Sequence, residues 1–339
     1  MRVIIDVGHP GDCHLFKNLA HQLIQHGGKV LFTVRQKEFE IELLRCENLE
    51  YKSLGRHHRN IIGKIWGLFK FDLQMLFTAL RFKPDLFVSH GSIYAGHISF
   101  LLRKKHLSVE DTGNMEQIML YRPFTDVILT PDVLPQKLGI KQIRYKGYHE
   151  IAYLHPNYFT PDIDIYNLLG LQKGEKYAIV RFVSWNATHD VGYNGISNKG
   201  KVQLIKKLSD EMRVFITSES ELIPELQEYR FKIGPEKLHH VLYYASIVVS
   251  EGATVASEAG VLGTPAIYIN PIPISYCKDQ EKYGLVFNIS ESVKLNFLVD
   301  KILSQDRNSF REKRDKMLND KVNVTQFLYD FIIDKYFKE

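Results

Sequence analysis

Apolar residues along this chain gather into short continuous runs, separated by stretches where they recur at three- and four-residue spacing. The runs suit parallel strands buried on both faces, and the spaced stretches suit amphipathic helices. In the first half the runs 3–7, 30–34, 51–54, 86–89, 107–109 and 127–129 predict five or six strands, each followed by a helix or loop. Leu15, Leu19, Leu23 and Ile24 set the phase of a helix over 13–25, which Gly27-Gly28 ends. Further helices are expected over 38–46, up to about 82, and on to 102. Residues 145–161 hold glycine, two prolines and no clear period, and read as an interdomain connection. A second alternation follows, with strands at 177–182, 214–217, 247–249 and 266–269. Its helices are expected at 199–208, 222–229, 239–245, 253–262, 293–304 and 324–336. The pattern predicts an α/β chain of two similar, doubly wound, Rossmann-like domains, 1–150 and 151–325, with a ligand in the cleft between them. Residues 326–339 form a terminal helix that can cross back to the first domain.

Composition changes this picture little. With 45% apolar and 24% charged residues, the 339-residue chain has ordinary globular material for two cores. A net charge of +5 fits an anionic substrate or a membrane surface without requiring either. No run approaches the roughly 18 apolar residues of a membrane span, and Met1-Arg2 leads directly into a strand, so a cytoplasmic chain is expected. Cys13, Cys46 and Cys277 are scattered and odd in number, which points to neither a disulfide framework nor a zinc site. The segment 56–71 is basic, aromatic and amphipathic. It suits a membrane interface through Trp66, Phe69 and Phe71, or a crossover helix that buries its aromatics on the sheet.

The chemistry concentrates in 247–271. A strand ends at Ser250-Glu251-Gly252, small residues Ala253 and Thr254 open a helix, and Gly263 with Pro265 stops it. The helix mouth offers free N–H groups and the positive dipole end, which suit a phosphate. Glu258, four residues after Thr254, can take a ribose diol; the same residues also fit an ordinary crossover with a surface glutamate. Arg181 ends the first strand of the second half and can clamp phosphate or bridge the domains. The loop 183–195 is polar and holds Trp185 and His189, and His90-Gly91-Ser92 ends a first-half strand. The first loop, Gly8-His9-Pro10-Gly11-Asp12, lacks the Gly-x-Gly-x-x-Gly spacing, so no nicotinamide or flavin cofactor is expected. An imidazole titrates near neutrality, so His14 can serve as a base, with Asp12 as its orienter or substitute, although such a histidine is also an ordinary surface residue. Asp162-Ile163-Asp164 lies off any strand end, and His57-His58 and His239-His240 are poorly spaced for one ion, so no metal is expected.

These residues resemble those of GT-B-type sugar-nucleotide enzymes, and most closely a family of predicted glycosyltransferases of unassigned function from bacteria and archaea. The resemblance rests on 3–16, Pro84-Asp85, Ser89-His90-Gly91-Ser92, Tyr145-Lys146-Gly147, Val180-Arg181-Phe182 and Leu262-Gly263-Thr264-Pro265-Ala266, and spans about 290 residues. A more distant likeness links the chain to the peptidoglycan N-acetylglucosaminyltransferase and the non-hydrolysing UDP-N-acetylglucosamine 2-epimerase. It implies nucleotide binding by Gly252 and Glu258, donor-sugar binding by Asp279 and Gln280, and an acceptor-facing His14. Glu251 departs from the transferase pattern, since a carboxylate beside a diphosphate must point away. The epimerase's catalytic aspartate is replaced by Ser92, while Glu110 matches its catalytic glutamate and His189 falls near a second-half histidine. The expected activity is sugar transfer from a nucleotide-sugar, taken as a UDP-sugar, to a glycan or lipid-linked acceptor. Epimerase or hydrolase chemistry and non-catalytic binding are the alternatives. Peripheral membrane contact and no nucleic-acid partner complete the expectation.

Overall fold

The computed structural model describes residues 1–56, 61–184, 195–231, 233–291 and 294–338, with the side chains of 61–66 set aside. Trp185, His189, His57, His58 and the side chain of Trp66 lie outside the described residues. The chain forms two compact units, 1–153 with 322–339, and 154–321.

The first unit holds a parallel sheet of β1 (Arg2–Val7), β2 (Lys29–Gln36), β3 (Tyr51–Arg56), β4 (Leu86–His90), β5 (Lys105–Val109), β6 (Val127–Pro131) and β7 (Gln142–Tyr145). Their order is β3-β2-β1-β4-β5-β6-β7, so the winding reverses between β1 and β4, where Val3 lies beside Leu86. The runs are continuous because both faces are covered. On one face Ile4, Leu31 and Phe87 meet Phe71, Met75 and Ala79 of the helix Ile61–Phe82, and Ala95 and Ile98 of the helix Ile93–Leu101. The helix Pro10–Gln25 buries Leu15, Phe16, Leu19 and Leu23 and packs beside Val324–Tyr336, where Gln22 donates to Gln326 at 3.0 Å.

The second unit holds β8 (Tyr177–Phe182), β9 (Arg213–Ser218), β10 (Ile247–Ser250), β11 (Ala266–Ile269) and β12 (Val286–Ile289), ordered β12-β11-β10-β8-β9. Its reversal falls between β8 and β10, where Arg181 pairs in register with Ser250. Both sheets are therefore doubly wound, with two strands outside β1 in the first and one outside β8 in the second. Two strands and several helices were hidden in the apolar pattern, among them Met115–Tyr121, Ser275–Lys282 and Arg307–Asp320. β7 and β12 are four-residue segments containing polar residues, and the helix Arg307–Asp320 buries only Phe310 and Met317 among its charges. Residues 224–229, expected as α-helix, form a 3₁₀ turn opened by Pro224. No helix of the described residues is long and apolar enough to cross a membrane.

Phe71 requires a correction. It is 2% exposed and packed on the sheet, while Phe69, about 200° away around the helix, is 67% exposed.

Candidate functional site

In open α/β sheets ligands gather outside the carboxyl ends of the strands, where the winding reverses. In the first unit that place is the exit of β1, β4 and β5. Pro10 sits at the first helical position, where its missing N–H costs nothing, and the helix opens with a reciprocal cap. Asp12 Oδ2 accepts from the Gly8 and His9 amides at 2.9 and 3.0 Å, and His9 Nδ1 accepts from Gly11 at 3.1 Å. The other Asp12 oxygen accepts from His90 Nδ1 at 2.8 Å, and His90 Nε2 donates to Asp111 at 3.2 Å. His149 Nδ1 meets the second Asp111 oxygen at 3.0 Å. A row Asp12–His90–Asp111–His149 results.

Burial alone would disfavour the His90 cation, but hydrogen bonds to Asp111 and Asp12 outweigh it and hold its pKa well above the ordinary 6.5. Burial likewise opposes both carboxylates, and the charge and hydrogen bonds of His149 and His90 on Asp111, and of His90 on Asp12, keep each below the usual range. His90 is thus an imidazolium donating from both ring nitrogens. His90, Asp111 and His149 also bring ligand-type atoms within 4.8 Å of one another, but a metal ion there would have to displace a proton of His90, so ion and imidazolium are alternatives at this place.

The remaining first-unit candidates have other duties. Ser92 caps the helix Ile93–Leu101, accepting from Ala95 at 3.2 Å and donating to Asp6, which also pairs with Arg35. Glu110 ties its own loop: one oxygen accepts from the Thr112 and Gly113 amides at 2.7 and 3.1 Å, and the other from Tyr121 at 2.8 Å. His14 is the fifth helical residue, nearly buried, with its ring stacked on Tyr153 at 5.3 Å between centroids.

In the second unit the mouth of the helix Ala253–Leu262 opens at the reversal. Gly252 is its cap residue and supplies no side-chain acceptor to the first-turn amides. Ala253 is half-buried and Thr254 exposed. Ser250 Oγ accepts from the Gly252 amide at 3.0 Å and so shapes the turn. Glu251 does point away. It is 1% exposed and its oxygens accept from the Val183 and Ile196 amides at 3.0 and 2.7 Å, which ties these two residues to one carboxylate. Arg181 pairs within its own unit, donating to Glu219 at 2.9 Å. Glu258 is buried against His239, 3.0 Å from its Nε2. Asp279 pairs with Lys282 and Lys321 at 2.9 and 2.6 Å, and the Gln280 amide is buried on Ser257 at 2.6 Å. Beside the mouth, Asn270, Lys278 and Asn288 together with Pro271, Pro273 and Ile289 line a recess of mixed character of about 290 Å³.

The structure therefore gathers Arg181, Ser250, Gly252, Ala253 and Thr254 at one helix mouth, and leaves Glu258 and Gln280 engaged inside the unit. His9, Asp111 and His149 escaped the sequence reading. Asp111 directly follows Glu110 at a strand end, and that adjacency was the available signal.

Two parallel, doubly wound units give the chain a fold of the GT-B type. The family described as "Protein of unknown function (DUF354)" matches residues 1–330, and the chain belongs to it. It is 24% identical over 282 residues to the uncharacterized protein MJ0665 of Methanocaldococcus jannaschii, covering 79% of this chain and 82% of that protein. Among solved structures, S. aureus MnaA with UDP matches at a TM-score of 0.69 and 13% identity, covering 98% and 96% of the two chains. UDP-GlcNAc 2-epimerase from Neisseria meningitidis, bound to UDP-GlcNAc, matches at 0.68 and 14%, covering 99% and 100%. MurG of Acinetobacter baumannii matches at 0.60 and 15%, covering 98% and 99%. At these identities the likeness is one of fold.

Proposed function

We propose that this protein is a glycosyltransferase that moves a sugar from a UDP-sugar to a glycan or lipid-linked acceptor. The observation that carries the reading is the uncapped mouth of the helix Ala253–Leu262, with Arg181 in the neighbouring strand and Glu251 turned away from it. A diphosphate there meets first-turn amides and the positive dipole end, and Arg181 can exchange Glu219 for phosphate. In the transfer the bond from the sugar's anomeric carbon to the β-phosphate oxygen breaks, and its electron pair leaves on UDP. The acceptor oxygen bonds to that carbon, and its proton passes to a base, for which His14 is our candidate. The helix mouth compensates the charge on the leaving diphosphate, so the step needs no resident cofactor.

Epimerisation is the second reading, because solved epimerases share the fold. The geometry favours transfer. Proton removal and return at a sugar carbon needs free acid and base groups, whereas Ser92 is a helix cap and Glu110 is held by its loop. Proton NMR of UDP-sugars with the purified protein separates the readings. Transfer predicts an unchanged sugar until an acceptor is added; turnover without acceptor would replace it with epimerase or hydrolase chemistry. The proposed setting is the cytoplasm.

A further inference from the structure

Nine of the fourteen exposed large apolar side chains among the described residues lie on three helices, Ile61–Phe82, Ile93–Leu101 and Met115–Tyr121. The helices on the other side of the same sheet, Pro10–Gln25, Glu40–Cys46 and Val324–Tyr336, carry one, Ile24. The helix Ile61–Phe82 has two apolar stripes. Phe71, Met75 and Ala79 form the inner one, and Phe69, Leu73, Phe77 and Leu80 recur at helical spacing on the outer one, each more than half exposed. Phe100 and Leu101 extend the outer surface, at 64% and 61% exposed. Between the helices lies an open apolar groove of about 440 Å³, with Leu73 and Leu76 on one wall, Ile98 and Leu101 on the other, and Phe124 beside them. A solvated outer helix face is normally polar, so a surface of this extent marks an interaction site.

The charges bordering it indicate what covers it. Arg81 stands in the last turn of the first of these helices and Lys83 follows it, and Arg103, Lys104 and Lys105 follow the second; all five are exposed, with Asp85 the one exposed carboxylate between Lys83 and β4. They share one edge of the unit, because β4 and β5 start there in register, Leu86 beside Lys105. Lys105 pairs with Asp126, and Arg81, Lys83, Arg103 and Lys104 have no carboxylate within ion-pair distance among the described residues. Lys83 and Arg103 hold left-handed φ angles of 55° and 54°, where glycine would be unstrained, so a cation stands at a conformationally costly place at both helix ends. A helix dipole favours one cation at each end and does not account for the run Arg103-Lys104-Lys105.

We propose that this apolar face, with its basic edge, docks on an anionic lipid bilayer. The apolar side chains enter the headgroup–acyl boundary and the cations meet lipid phosphates. A second copy of the chain fits less well, since it would bring an edge of the same sign. The inference stands on the first unit alone and is independent of the sugar-nucleotide reading.

Flotation of the full-length protein with phosphatidylglycerol/phosphatidylcholine vesicles tests it, with pure phosphatidylcholine vesicles as the comparison. The expected result is flotation on the anionic vesicles, reduced at least fivefold on the neutral ones and by raised salt. Phe77→Glu with Leu101→Glu should reduce it at least tenfold at unchanged thermal midpoint. Arg103→Glu with Lys104→Glu, exposed and remote from the core, should reduce anionic binding to the neutral level. Failure of the wild type to float, or flotation unaffected by both double variants, overturns the proposal. So does a dimer in sedimentation velocity that Phe77→Glu dissociates while no vesicle binding occurs, since the face would then belong to a second copy.

Discussion

His90 donates to carboxylates from both ring nitrogens, and its charge holds the exits of β1, β4 and β5 together. His90→Gln leaves Asp12 without its cation and Asp111 with His149 alone, at an expected cost of about 2–3 kcal/mol at pH 6, measured by denaturant titration. The pH dependence follows from the directions of the shifts. His90 is raised in the folded state, so its contribution is complete below its ordinary value of 6.5 and is lost as pH rises through the raised one. Asp12 and Asp111 are lowered from 3.8, so theirs is present above that value and is lost as pH falls through the lowered ones. The gap between wild type and variant should be widest at about pH 4–6.5 and close on either side. Glu251 makes a second test at this scale. Glu251→Ala strips the acceptor from two amides, Val183 and Ile196, and should cost about 2–4 kcal/mol, while Glu251→Gln retains part of that. The sequence marked Glu251 as a misfit beside a diphosphate, but not which way it turns, because its partners lie 68 and 55 residues away.

The helix Ala253–Leu262 was legible from its ends: a glycine cap, small first-turn residues, and Gly263 before Pro265. Gly263 sits at φ 76° with its Cβ position 3.2 Å from the Arg314 side chain. Gly263→Ala should therefore lower stability by about 1–2 kcal/mol, read as a drop in the denaturation midpoint. The helix Ser275–Lys282 was not legible in this way. Its sequence, Ser-Tyr-Cys-Lys-Asp-Gln-Glu-Lys, has no apolar stripe to fix its phase, so nothing local revealed that Gln280 faces Ser257 and that Asp279 meets Lys321. Gly260 makes room for this packing, since a Cβ there would lie 2.2 Å from Gln280 Oε1. The helix Ile61–Phe82 erred in the opposite sense. Its aromatics were visible, but only the second stripe separates Phe71 inside from Phe69 outside.

At the level of the whole molecule, the α/β class and the presence of two windings followed from buried runs that alternate with helices. Strand order did not. β10 lies between β8 and β11 because of crossovers that leave no local mark, and the register of Ser250 with Arg181 is their consequence. That register makes the helix mouth a binding proposal instead of an ordinary crossover. Thr254→Glu tests it without confusing binding with folding: Thr254 is exposed, and a carboxylate in a first turn favours the helix while repelling a diphosphate. The decisive measurement is calorimetric titration of UDP into wild type and Thr254→Glu, with the thermal midpoint of each recorded. The account predicts that wild type binds UDP and is stabilised by about 2.7 kcal/mol at a hundredfold excess over Kd, while the variant folds at least as stably and does not bind. A wild type indifferent to UDP, or a variant that binds it equally well, would contradict the account.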